Sequence, residues 1–140
     1  MNEKYGNEIY GYVIMPNHIH CLIRITDKAP KLPVLIANAK RFLAYGIVDL
    51  LKEDNNINLL NFFAKNARVK DGARHKIFED RYDSLPILSE EFFFEKLNYI
   101  HKNPCQKKWY LADDPEKYLY SSASNYFFGH GVYPVTIYEM

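Results

Sequence analysis

Two histidines one residue apart are the first residues of this chain whose spacing indicates chemistry. His18 and His20 lie in the stretch GYVIMPNHIHCLIRI, residues 11–25. On a β-strand, residues i and i+2 face the same side, so both rings would project together from positions about 6–7 Å apart. Imidazole suits borderline divalent metals such as manganese or zinc. The pair therefore indicates part of a metal site. The alternative is that both are half-exposed histidines on a sheet face without a metal, which would give the same pattern.

A second candidate group lies far downstream, on a predicted helix. Tyr99 and Asn103 are four residues apart in EEFFFEKLNYIHKN, so they share one helical face. Tyr99 lies off the main apolar stripe of this helix, which indicates either a phenol directed at the sheet or an amphipathic tyrosine at the margin of the core. The amide oxygen of Asn103 is a candidate third metal ligand.

The periodicity of apolar residues predicts the elements that must position these side chains. A β-hairpin is expected over residues 9–25, and amphipathic helices over residues 33–53 and from Ser89 to about Asn103. Weaker patterns predict a short helix at 59–67, a short strand at 76–79 and a short helix at 121–128. The order of strands and helices predicts one α+β domain over residues 1–140.

Composition narrows the class of protein. The formal net charge is only +1, so no strong overall field draws the chain to nucleic acid or membrane, and such binding would need a local patch. Cys21 and Cys105 are too few for a disulfide framework, which favours the reducing cytoplasm. There is no apolar run of transmembrane length, and the polar start lacks a signal-peptide core. We expect a soluble cytoplasmic protein without membrane contacts.

Three motifs together resemble a known family. YVIMPNHIHCLI at residues 12–23, KLNYIHKNP at 96–104 and PEKYLYSSASNY at 115–126 are similar to the single-tyrosine HUH transposases of bacterial insertion sequences, and within them to the REP-associated tyrosine transposases. HUH denotes His, a hydrophobic residue and His, here His18-Ile19-His20. The resemblance covers residues 9 to 127, and the combination of MPNHIH with YIHKNP is its most specific part.

The resemblance implies metal-dependent nicking and joining of single-stranded DNA through a 5′-phosphotyrosine intermediate. His18 and His20 match the metal-binding pair, Tyr99 the catalytic tyrosine, and Asn103 the further polar ligand. The implied cofactor is a divalent ion, Mn²⁺ or Mg²⁺. The implied partners are single-stranded or hairpin DNA and a second copy of the chain in a homodimer.

The resemblance also implies a fold: a ferredoxin-like small antiparallel sheet with helices packed on one face. Relatives carry about one more strand and one more helix before the hairpin, so we expect an N-terminally shortened version of this fold. A mis-assigned start, a partner subunit that fills the gap, or a decaying gene with re-paired strands would each explain the difference.

Basic residues supply candidate phosphate contacts. A solvated loop explains their main cluster at least as well as DNA binding does. The candidates are Lys65, Arg68, Lys70, Arg74 and Lys76 in one local stretch, with Lys40, Arg41 and Lys96 elsewhere.

Two other functions compete with strand cleavage. A truncated or domesticated relative would hold hairpin DNA without cutting it. A nucleotide hydrolase of the histidine-triad type would also contain a segment like HIHCLI, but Leu22 stands where that class has its third histidine.

Overall fold

The computed structural model describes residues 2–67, 72 and 74–139. Its internal contacts divide the chain into two compact units. The first unit comprises residues 1–29 and 85–140, and the second comprises residues 30–84. The prediction of a single domain over residues 1–140 stays a prediction beside this division.

The elements form a mixed α and β structure, as the order of patterns predicts. They are α1 (Asn2–Tyr5), β1 (Glu8–Ile14), β2 (Ile19–Arg24), α2 (Leu32–Glu53), α3 (Ile57–Lys65), α4 (Glu90–Lys102) and α5 (Ala123–Phe128), with 3-10 turns at Asn103–Cys105 and Pro115–Lys117. The predicted hairpin, both long helices and the short helices near residues 59–67 and 121–128 are confirmed. None of the described helices is both long and apolar enough to cross a bilayer.

The sheet of the first unit is the hairpin itself, supplemented by backbone from the end of the chain. β1 and β2 pair in antiparallel register. Along the other edge of β1, Ile14 N donates to Tyr120 O and Ser122 N donates to Tyr12 O, both at 2.9 Å. Farther along this edge, the Thr136 amide donates to a β1 carbonyl at 2.8 Å. The late segment therefore satisfies backbone groups that an open edge would leave unpaired.

Helix α4 packs its apolar stripe on this sheet. Ser89 caps the helix, because its Oγ accepts a hydrogen bond from Phe92 N at 3.2 Å. Phe93, Leu97 and Ile100 recur at helical spacing and are all buried in the core with residues of the hairpin. This stripe fixes which face of α4 is directed away from the core.

Gly11 permits the close approach of α4 to β1. A Cβ built at Gly11 would lie 2.6 Å from Leu97 Cδ1, far inside normal contact distance. The absence of a side chain at this position of the strand therefore sets the depth at which Leu97 packs on the hairpin.

The second unit contains α2 and α3. Leu35 and Val48 are buried on α2. Lys40, on the same helix, donates through Nζ to the carbonyl oxygens of residues 79, 80 and 81 at 2.6, 3.3 and 2.9 Å. Lys40 thus joins the segment of residues 79–81 to α2 within the second unit.

The predicted short strand at residues 76–79 is wrong. Lys76 Nζ lies 3.9 Å from a Glu79 carboxylate oxygen and 3.3 Å from one of Asp80. Residues 76–79 have irregular backbone with no strand pairing, and Lys76 N donates to Phe63 O of α3 at 2.9 Å. Their four-residue pattern was too short to distinguish a strand from an irregular turn.

Candidate active site

The paired histidines lie side by side in the first unit. His18 precedes β2 and His20 is the second residue of this strand. Their ring centroids are 4.9 Å apart and the ring planes meet at 82°. Both rings are half-buried, and this proximity is what the strand spacing predicts.

Asn17 fixes the tautomer of His18. The His18 Nδ1 atom lies 2.6 Å from Asn17 Oδ1. A carboxamide oxygen only accepts, so Nδ1 carries the proton and Nε2 keeps its lone pair. Orientation of a ligating histidine through its other nitrogen is common in metal sites.

Both imidazoles are held in the neutral form that binds metals. Burial lowers the pKa of His18 below its ordinary value, and the nearby Lys108 ammonium lowers it further. Burial also lowers the pKa of His20, with a smaller contribution from His18. At neutral pH neither ring is a cation that would repel a metal ion.

Tyr99 meets the histidine pair from α4. Its ring centroid is 5.7 Å from that of His20, at an angle of 76°. The side chain is 48% exposed, so its phenol is accessible from solvent. The structure therefore brings together three of the predicted site residues, His18, His20 and Tyr99, from two elements of the same unit.

Asn103 lies one helical turn beyond Tyr99 and is only 2% exposed. Its Oδ1 atom is buried and has no hydrogen-bond partner among the described residues. A buried acceptor without a donor is costly, so this oxygen is suited to a cation or to a donor from outside the chain.

The described ranges contain no group of three or more His, Cys, Asp or Glu side chains able to hold a metal. A cation at the histidine pair would therefore be completed by an amide oxygen, water or substrate phosphate. Two neutral imidazoles with one amide oxygen suit Mn²⁺ better than bare Mg²⁺.

Trp109 is a residue of the site region that sequence reasoning missed. Its ring centroid lies 5.5 Å from that of His18, and Lys108 Nζ lies 5.3 Å from the indole centroid. The only signal in the sequence was a single tryptophan following two lysines shortly after the Asn-Pro of the second motif.

A buried histidine on α4 joins this helix to β1. His101 Nε2 lies 2.9 Å from Ser122 Oγ, which also accepts from Tyr12 N at 2.9 Å and donates to Tyr12 O at 3.2 Å. Burial lowers the pKa of His101 to about 4, so the ring is neutral. This network ties the helix that carries Tyr99 to the strand that pairs with β2.

Several basic residues predicted to bind DNA have partners within their own unit. Lys40 bonds three carbonyls of its loop, and Lys76 faces two carboxylates, as described above. Lys96 Nζ is 2.9 Å from Glu95 Oε1, and Arg41 donates to Asn38 Oδ1 at 3.1 Å. These contacts compete with phosphate for the same cations, although Arg41 and Lys96 each keep N–H donors that these bonds do not use.

Among the remaining basic candidates, Lys65 and Arg74 are exposed. Arg68 and Lys70 lie outside the described residues. Of the six candidates that the structure describes, only Lys96 belongs to the unit that carries the histidine pair.

Comparison with known proteins gives no match: no family model, no curated protein and no solved structure is similar to this chain.

Proposed function

We propose that this protein cuts and rejoins single-stranded DNA through Tyr99, in the manner of the single-tyrosine HUH transposases that its motifs resemble. The observation that carries the proposal is the 5.7 Å separation between the Tyr99 and His20 rings, with His18 4.9 Å from His20. These residues are about eighty positions apart in sequence, and the motif resemblance predicted that they converge.

The histidines and Asn103 would hold the divalent ion. His18 offers its free Nε2, His20 is neutral, and Asn103 supplies an oxygen that has no partner among the described residues. When bound, the ion polarises a non-bridging phosphate oxygen and stabilises the charge that builds up during displacement.

Tyr99 is the nucleophile. A phenol has an ordinary pKa near 10 and is a weak nucleophile at neutral pH, so it must be held in line with the phosphorus. The phenolic oxygen forms a bond to phosphorus and gives its proton to water, while the bond between phosphorus and the 3′-oxygen breaks and that oxygen takes a proton from water. The products are a 5′-phosphotyrosine and a DNA 3′-hydroxyl.

The covalent link allows joining without a nucleotide cofactor. A 3′-hydroxyl that attacks the phosphotyrosine restores a phosphodiester and frees Tyr99. We further propose that the hairpin belongs to a shortened ferredoxin-like sheet and that the chain acts as a homodimer. The late segment along β1 supports the first of these, since it adds strand-like backbone at the edge of the hairpin.

A test of cleavage uses 3′-labelled single-stranded DNA of random sequence, incubated with the protein and Mn²⁺ and separated on a denaturing gel. We expect a labelled protein band that Tyr99→Phe abolishes. Tyr120→Phe is the matched control, because Tyr120 is 49% exposed and Tyr99 is 48% exposed. A Tyr99→Phe protein that still forms the band would refute the assigned nucleophile.

A second candidate function is hairpin binding without cleavage. It is favoured by the lack, among the described residues, of a group of three or more His, Cys, Asp or Glu side chains that could hold a metal. In that case the wild-type protein and Tyr99→Phe would retain labelled DNA equally on a native gel, and neither would give a denaturation-resistant band with Mn²⁺.

A further inference from the structure

Trp109 adjoins the histidine pair but has no role in the chemistry described above. Its indole is tilted by 46° to the His18 ring at a centroid distance of 5.5 Å. The side chain is half-buried and packs against the core cluster of the first unit. The residue is thus anchored by the core and only partly covered.

A short closed loop holds Trp109 in this position. The backbone amides of Trp109 and Tyr110 both donate to Gln106 O at 2.8 Å, and Leu111 N donates to Pro104 O at 2.9 Å. Tyr110 has a φ of +44°, within the left-handed region that non-glycine residues rarely adopt. The loop begins where α4 ends, so it places the indole relative to the helix that carries Tyr99.

Lys108 adds a positive charge to the indole. Its Nζ atom lies 5.3 Å from the Trp109 centroid, and the side chain is exposed. The same ammonium contributes to the lowered pKa of His18. Proteins bind single-stranded DNA with aromatic rings, on which the bases stack, and with cations, which contact the phosphates. Trp109 and Lys108 supply one of each beside the candidate cleavage site.

We propose that Trp109 and Lys108 form a nucleobase subsite, in which a base next to the scissile phosphate stacks on the indole and the ammonium contacts a phosphate. The inference rests on the proposed function and names how that site holds its substrate. A stacked base strengthens binding about 5- to 100-fold, whereas an exposed ammonium–indole contact contributes about 2- to 5-fold. The base therefore displaces Lys108 from the ring and frees it for phosphate.

The single tryptophan allows a direct test. The full chain is titrated with oligothymidylate of about 12 nucleotides in EDTA, so that no cleavage occurs, and tryptophan emission is followed. We expect a saturable change that duplex DNA of the same length does not produce. Binding of labelled oligothymidylate without a change in emission would overturn the subsite, as would the absence of binding.

Variants test the same proposal through affinity. Trp109→Leu should weaken oligothymidylate binding about 5- to 100-fold, and Trp109→Tyr, which keeps a stacking ring, should stay within about 3-fold of wild type. Lys108→Gln should reduce the slope of log affinity against log salt by about 0.7. Phe128→Leu is the control, because Phe128 is an exposed aromatic residue of the same unit. Unchanged affinity in Trp109→Leu would overturn the proposal. If this variant does not fold, the emission titration of the wild-type protein is the deciding test.

The failure of this inference is distinguishable from failure of the proposed cleavage. Tyr99→Phe should lose the covalent band but keep both the emission change and the affinity. A wild-type protein that gives the emission change without a covalent band would refute cleavage and support the subsite. A covalent band together with full affinity in Trp109→Leu would support cleavage and refute the subsite.

Discussion

The side-chain amide of Asn17 holds the His18 imidazole in the tautomer that leaves Nε2 free to bind a metal. Asn17 Oδ1 accepts from Nδ1 and leaves Nε2 free. We expect Asn17→Ala to lower Mn²⁺ affinity about 10-fold, because the ring loses its fixed tautomer and orientation. Isothermal titration measures the change, with Asn58→Ala, an exposed asparagine of α3, as the control. Equal affinity of Asn17→Ala and wild type would show that the amide has no such role.

His101 gives the fold a pH dependence of known sign. Its pKa is about 4 in the folded protein and 6.5 ordinarily. Between these values the unfolded chain binds a proton that the folded chain does not, so stability is complete above pH 6.5 and falls as the pH falls towards 4. The loss attributable to this group is about 3 kcal/mol.

Urea unfolding at pH 7.5 and pH 5 tests this dependence. His101→Gln keeps a donor for Ser122 but does not titrate, so its stability should vary less over this interval than that of wild type. His130→Gln, at an exposed histidine, should behave as wild type does. A similar loss of stability in His101→Gln and wild type would contradict the assignment.

The packing of α4 on β1 determines where Tyr99 lies. Gly11→Ala places a methyl group 2.6 Å from Leu97 Cδ1 and should reduce the free energy of unfolding by about 1–3 kcal/mol. Leu97→Ala alone should reduce it by about 2–5 kcal/mol through cavity formation. The double variant should lose less than the sum, because each change relieves the other. Strict additivity in urea unfolding would show that the two positions do not interact.

Sequence patterns predicted elements better than they predicted how loops place side chains. The hairpin and the two long helices have apolar spacing that only one kind of element satisfies, and Ser89 marked its helix correctly as a cap. The meeting of Tyr99 with His20 followed from the motif resemblance, not from spacing alone. Trp109 was missed because its position depends on the irregular turn after α4, which has no periodicity to detect.

The charge of the whole chain limits how it binds DNA. A net charge of +1 gives no long-range attraction, and several lysines are engaged within their own unit. We expect two or three phosphate contacts, and therefore a slope near about −2 for log affinity against log salt with single-stranded DNA. Anisotropy of labelled DNA across a salt series measures this slope. A slope of about −5 or steeper would show that the basic stretch of the second unit takes part.

The late segment that pairs with β1 also constrains how the protein is made. Ser122 and Thr136 bond to the first strand of the chain, across the whole of residues 30–84. On the ribosome the β1 residue Tyr12 is synthesised 110 residues before its partner Ser122, so the hairpin acquires this neighbour late. Contacts this distant in sequence form slowly, so the open edge of β1 in the nascent hairpin stays exposed until they form. A polypeptide released early would carry both histidines and Tyr99, yet lack the backbone that completes the strand beside them.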